Sequence, residues 1–171
     1  MTAEQRRQEI LTLLEQTDTP LSAAALAHRF SVSRQIVVQD VALLRTGGSM
    51  IFATPEGYVM PNVAGNVVRR VIATKHTTNA QMRDELETVV DLGGTMVDVS
   101  IEHPVYGEMT APLRLSSRAG VEVFMRHFES GETSPISQLT GGVHLHTVEA
   151  PDEQTMERIL TALREKGSLV E

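Results

Sequence analysis

The sequence predicts a two-domain α/β (α+β) protein, and three observations carry that expectation. Apolar residues recur at helical spacing through residues 4–46 and then give way to a short alternating run, "SMIFATPEGYVM", at 49–60. The segment "PNVAGN", residues 61–66, breaks the periodicity with Pro, Gly and two Asn. Beyond it, strand-like and helix-like runs alternate to the end of the chain. The expected division is a helical unit with a hairpin over 1–60, a linker at 61–66 and a mixed unit over 67–171.

In "EQRRQEILTLLEQ", Ile10, Leu13 and Leu14 fall at i, i+3 and i+4 with charges on the opposite face, which predicts an amphipathic helix ending before "TDTP". Ser22 is placed to cap a second, short helix, "AAALAHRF". Ser33 is placed to cap a third, in which Ile36, Val37, Val41 and Leu44 are apolar and Gly47 is the stop. Three helices with short turns form a helix-turn-helix plan. The hairpin around Pro55-Glu56-Gly57 then supplies a wing.

The second unit reads as strand 67–75, helix 79–92, strands 95–103 and 105–115, helix 117–129, strand 142–150 and a last helix over 151–166. Strand-helix-strand-strand-helix-strand is the ferredoxin-like pattern, here with one extra C-terminal helix. The apolar face of that helix, Met156, Ile159, Leu160 and Leu163, suits either a core or an interface, and core is the expectation.

Composition narrows the function. No run approaches the roughly 18 apolar residues of a membrane span, and the polar start "MTAEQRRQE" lacks the apolar centre of a signal peptide, so a soluble, cytoplasmic protein is expected. With no cysteine, disulfide frameworks, thiolate zinc clusters and cysteine nucleophiles are excluded, and any metal must be held by histidine and carboxylate. The net charge of −7 is uneven. The first 60 residues carry five Arg and six acids, the remainder ten basic and sixteen acidic residues, so the acidity does not forbid nucleic acid as a partner of the N-terminal unit.

His144 and His146 stand two apart in a strand and so leave the backbone on one face. If the first and last strands of the unit are antiparallel neighbours, His76, at the end of the first, lies beside His144. His103 and the first turns of helix 79–92 are expected at the same rim. A carboxylate from that helix completes a site for a borderline divalent metal such as Zn²⁺, Ni²⁺ or Fe²⁺. At about 100° per residue, Glu85 flanks the stripe formed by Met82, Leu86, Val89 and Val90, whereas Asp84 points almost opposite and Glu87 lies farther round than Glu85. His28 and His127 show no such convergence and are read as surface or helix-flanking residues.

In a helix-turn-helix the third helix enters the major groove with its N-terminal residues at the base edges. Those residues here are Ser33, Arg34, Gln35 and, one turn on, Gln39. Arg reads guanine and Gln adenine through paired hydrogen bonds, while Ser33 and Arg45 suit phosphates. Thr54 and Tyr58 of the wing are further polar candidates. A module serving only protein contacts is the competing reading, since this segment has a net charge of −1 and no Lys.

The motifs "KH" at 75–76, "EL" at 85–86, "GGTMVDVSIEHPVYGE" at 93–108 and "LTGGVHLHTVEAPDE" at 139–153 resemble the three-histidine (3H) domain. "SVSRQIVVQDVALLRTGG" resembles the biotin-repressor type of helix-turn-helix that precedes it in niacin-responsive transcriptional repressors. The resemblance covers nearly the whole chain. It implies a homodimeric repressor of niacin uptake or NAD biosynthesis genes, binding a double-stranded operator, with nicotinic acid as co-repressor, a bound transition metal and no membrane partner. The family's metal ligands carry over onto His76, Glu85, His144 and His146. The stretch "TTNAQMRD" is one residue longer than the family pattern, which keeps Asp84 open as a substitute. His103 belongs to the motif and is placed, with Tyr106, near the effector. Two other readings compete: a metal-sensing DNA-binding regulator, and a metal-dependent hydrolase in which Glu102 and Glu108 flank the site.

Overall fold

A computed structural model describes residues 1–61 and 67–170. The chain divides into two compact units, Met1–Ala64 and Gly65–Glu171. Residues 62–66, most of the expected linker, lie outside the described residues.

In the first unit, α1 (Ala3–Glu15) opens on a capping box in which Thr2 Oγ1 accepts from the Gln5 amide and the Gln5 side chain accepts from the Thr2 amide. Helix α2 (Ala23–Phe30) starts at Ser22 and α3 (Arg34–Thr46) at Ser33, each hydroxyl accepting from the amide three residues on. Ile10, Leu14, Leu26, Phe30, Val37, Val41 and Ile51 form their common core. Strands β1 (Phe52–Thr54) and β2 (Gly57–Val59) make the hairpin.

Tyr58 also pairs with Leu21 through two main-chain bonds of 2.8 and 2.9 Å, which ties the hairpin to the start of α2. A side chain at Gly57 would meet the Leu21 carbonyl at 2.5 Å, and only glycine allows that approach.

One charged contact inside this unit is invisible to apolar periodicity. Asp40, 3% exposed on α3, accepts a 2.6 Å bond from Arg6 Nε of α1, and Arg7 Nη1 stands 3.6 Å from its other oxygen. It therefore fixes α1 against α3.

The second unit contains β3 (Val68–Lys75), α4 (Asn79–Asp91), β4 (Thr95–His103), β5 (Gly107–Leu115), α5 (Arg118–Glu129), a 3₁₀ turn (Ile136–Thr140), β6 (Val143–Ala150) and α6 (Glu153–Glu165). The succession is the expected one, with the 3₁₀ turn as an addition. The sheet order is β3-β6-β4-β5, antiparallel at every step. First and last strands are neighbours, as the metal argument requires, with β6 inside and β3 at the edge. In the usual ferredoxin-like order the first strand lies inside.

The extra helix accounts for the difference. After α6 the chain returns along the outer side of β3, where Lys75 N donates to Ser168 O at 3.1 Å and Val170 N to Ala73 O at 2.8 Å. Those bonds need β3 at the edge. Met156, Ile159 and Leu163 of α6 are fully buried in the core of the unit and Leu160 packs against it.

Replacing Arg6 with Ala leaves Asp40 buried without its closest partner and is expected to destabilise the first unit by about 2 kcal/mol. Faster amide hydrogen exchange across α1 and α3, with β3 and β6 unchanged, is the expected readout.

Candidate functional site

The register of β3 against β6 builds the site. Ile72 stands opposite His146 and Thr74 opposite His144, so all four side chains share one face, and His76 follows just beyond the last pair. Helix α4 lies on that face with Met82, Leu86, Val89 and Val90 in the core, and the same burial carries Glu85 in to 1% exposure. His76, His144 and His146 are 8%, 2% and 3% exposed.

Ligand atoms of His76, Glu85 and His144 lie within 4.8 Å of one another. Glu85 Oε1 is 3.0 Å from His146 Nε2 and 3.9 Å from His144 Nε2. The two Nε2 atoms are 3.0 Å apart, and the His76 ring meets the edge of His144 with centroids 4.5 Å apart.

Hydrogen bonds decide which ring nitrogens are free. His144 Nδ1 lies 2.8 Å from Gly142 O and His146 Nδ1 2.5 Å from Asp98 O. Carbonyl oxygens only accept, so each Nδ1 carries the proton, and both Nε2 lone pairs turn toward each other and toward Glu85. Thr74 Oγ1 is 2.9 Å from His144 Nε2 and 3.3 Å from Glu85 Oε1. Glu85 Oε2 is buried and has no hydrogen-bond partner among the described residues.

Facing lone pairs beside an under-bonded buried carboxylate repel unless a positive charge lies between them. Imidazole nitrogens with one carboxylate are the donor set of a borderline divalent ion. The residues present fit such a metal. Asp84, by contrast, is exposed and bonded to Lys166 Nζ at 2.6 Å, so the carboxylate in the cluster is that of Glu85.

Two main-chain devices hold the imidazoles. The β4–β6 register shifts between Met96 and Ser100, which frees Asp98 O for His146, while Asp98 Oδ1 takes the Thr147 amide at 2.9 Å. At Gly142, φ is +94° and a Cβ would lie 2.6 Å from His76 O, so only glycine brings this loop close enough to present its carbonyl to His144.

On α3, Arg34, Gln35, Gln39 and Arg45 are exposed, and Ser33, also exposed, caps the helix. Val37, Asp40 and Val41 face inward, leaving the first group along one outer side. Thr54 Oγ1 donates to Gly57 O within the hairpin, and Tyr58 is half-buried against the first core.

The family described as the 3H domain matches residues 69–171, and an HTH domain matches 6–59. The chain belongs to the 3H-domain family. A probable transcription repressor of Thermotoga maritima, NiaR, is 47% identical over 168 residues, covering 98% of this chain and 95% of that protein. The transcription repressor NadR of Bacillus subtilis is 40% identical over 168 residues, covering 96% and 93%. Both relatives of this 3H chain are named as repressors rather than enzymes, which removes support from the hydrolase alternative. Among the described residues no helix is long and apolar enough to cross a membrane.

Beside the three imidazoles of the 3H unit lies a cavity of about 200 Å³, walled mainly by Met82, Leu86, Val99, Leu113, Phe124 and Phe128. His103 and Tyr106 do not border it. Three histidines converge rather than four, because the β4–β5 hairpin runs past the last β4–β6 pair, Ser100 with Leu145, and carries His103 away. His103 Nδ1 instead accepts from the amides of Val105 and Tyr106 at 3.2 and 3.3 Å, and Tyr106 is 74% exposed. Glu102 and Glu108 pair across the same exposed hairpin.

Thr74, Asp98, Gly142 and the 3₁₀ turn were not foreseen as parts of the site. For Thr74 a signal existed: Ile72, Thr74 and His76 alternate inward along β3.

Burial, with His146 nearby, lowers the His144 pKa from 6.5 to about 4, and burial also lowers that of His76. The unfolded chain therefore binds more protons than the folded one between these values, and stability rises with pH across that window. The metal-free chain is expected to keep this contribution above about pH 6.5 and to lose it progressively toward pH 4. Calorimetric unfolding across this range checks it. His144→Gln should flatten the profile, and an equally steep profile in that variant contradicts the assignment.

Proposed function

We propose that the chain is a homodimeric, DNA-binding transcription repressor whose second unit holds a divalent transition metal on His76, Glu85, His144 and His146 and takes nicotinic acid as co-repressor at that metal. The observation that carries this reading is Glu85 Oε2, unpartnered among the described residues and buried beside imidazoles of which two have Nδ1 bonded to main-chain carbonyls, next to an apolar cavity. The names of the relatives, repressors of the NiaR and NadR type, support the DNA-binding role. The first of these names also fits a niacin effector and genes for niacin uptake or NAD biosynthesis.

When bound, a divalent ion supplies Lewis acidity toward a carboxylate oxygen. The chain's own residues do the rest. Gly142 and Asp98 carbonyls orient the imidazoles, burial keeps His144 in the neutral form that ligates, and the apolar walls exclude water from the ring of the bound acid.

In the first unit, Arg34, Gln35 and Gln39 are assigned to base edges and Ser33 and Arg45 to phosphates. Arg6 and Arg7 are committed to Asp40, which leaves Arg29 on α2 and Arg34 and Arg45 on α3 as exposed cations, the last two on the helix assigned to the DNA. With few cations per head, two heads on half-sites one helical turn apart, about 34 Å, are needed for useful affinity. Nicotinic acid acts by favouring the dimer geometry that matches this spacing, which requires differential binding to two states.

Calorimetric titration of nicotinic acid into nickel-loaded and metal-stripped chain tests the site. Binding is expected only in the loaded form and is lost in His144→Ala/His146→Ala. Operator affinity, measured on DNA recovered by binding-site selection, should rise by roughly 5- to 150-fold with nicotinic acid. Metal alone giving the full increase would make the metal the signal.

A further inference from the structure

The outer side of α3 carries an apolar side chain that the fold does not use. Val37, Asp40 and Val41 face inward and Leu44 packs against the core of the first unit, whereas Val38 is 37% exposed and is not part of that core. A β-branched residue at an exposed helix position stabilises the helix less than alanine or a straight-chain residue does. Neither packing nor helix propensity therefore accounts for valine at this position.

Its direction is that of the residues assigned to base edges. At about 100° and 1.5 Å per residue, Val38 lies about 40° round from Arg34 and one turn, about 6 Å, farther along α3. That places it between the directions of Arg34 and Gln35, with Gln39 and Ala42, both exposed, beyond it. A helix that brings Arg34 and Gln35 to base edges in the major groove brings Val38 to a base within about two pairs of theirs, since pairs are stacked about 3.4 Å apart. Leu43, the other large apolar side chain exposed on α3, points about 140° away from Val38 and stands more than a turn farther from the helix start.

Chemistry limits what Val38 can meet there. Its two methyl groups neither donate nor accept a hydrogen bond. Of the four bases only thymine turns a methyl group into the major groove, and the donors and acceptors of the others would lose water against valine without gaining a partner. In a helix valine is held close to one rotamer, so it loses little freedom on contact.

We propose that Val38 is a specificity-determining residue that reads a thymine in each operator half-site by packing on its 5-methyl group. The inference rests on the DNA-binding role proposed for α3 and adds to it a contact that involves no hydrogen bond.

The test uses the full chain at fixed salt, with nickel and nicotinic acid present throughout, on an operator recovered by binding-site selection. Each thymine is replaced in turn by deoxyuridine, in one half-site and then in both, which removes the methyl group and keeps the base pairing. At one thymine per half-site the replacement is expected to weaken wild-type binding about fourfold, and roughly 15-fold when made in both halves. Val38→Ala should bind the unmodified operator about as weakly as wild type binds the doubly replaced one, with less than about twofold further loss on replacement. Leu43→Ala should keep the wild-type response, and Tm should not fall in Val38→Ala, since alanine favours a helix. A Val38→Ala chain that keeps the wild-type response at every thymine overturns the assignment, as does one that weakens on both operators by the same factor. Failure of wild type to select any DNA removes the role of α3 itself and this inference with it, an outcome distinct from both.

Discussion

Two imidazole Nε2 atoms 3.0 Å apart, with a buried carboxylate 3.0 Å from one of them, form an arrangement that only a positive charge stabilises. Much of the second unit serves to keep it in place. The 2.8 and 2.5 Å bonds from Nδ1 to the Gly142 and Asp98 carbonyls prevent either ring from turning its proton inward. Thr74 touches both Glu85 and His144 from the neighbouring strand. Removing any one of these partners leaves the proposed ligands present but less well oriented, and for a bound metal such losses commonly cost 10- to 100-fold in affinity.

The scaffold follows from that constraint. A regular β4–β6 ladder would consume the Asp98 carbonyl, and the register shift at Met96–Ser100 releases it at the strand neighbouring His146. Glycine at 142 brings the loop before β6 within reach of His76. The cavity opens beside the same imidazoles because α4, α5 and the 3₁₀ turn cover that face of the sheet. The lining of that cavity comes from α4, β4, β5, α5, the 3₁₀ turn and β6, so it adjoins the imidazole cluster and most elements of the unit at once.

Much of the fold was legible in the sequence. The caps Ser22 and Ser33, the wing and the strand-helix succession follow from local patterns, and the structure places the expected helices and the strands of the second unit within a residue or two of their expected ranges. Side-chain parity brought His144 and His146 to one face, and the helical angle selected Glu85 over Asp84. What remained hidden depends on main-chain atoms or on register. Residue type says nothing about which carbonyl a bulge will free, so Asp98 and Gly142 gave no signal. His103 was misplaced because the length by which a hairpin overruns its neighbour is a tertiary property. Asp40 broke the rule that buried helix positions are apolar, and its Arg6 partner lies on another helix.

The central claim is that Glu85 supplies the carboxylate of a metal centre. Equilibrium dialysis with Ni²⁺ and Zn²⁺ on wild type, Glu85→Gln and Asp84→Asn tests it most directly. One ion per chain in wild type, no change in Asp84→Asn and an affinity loss in Glu85→Gln beyond the roughly 100-fold limit of an outer-shell effect is the predicted result. Wild-type affinity in Glu85→Gln, or a comparable loss in Asp84→Asn, would contradict it.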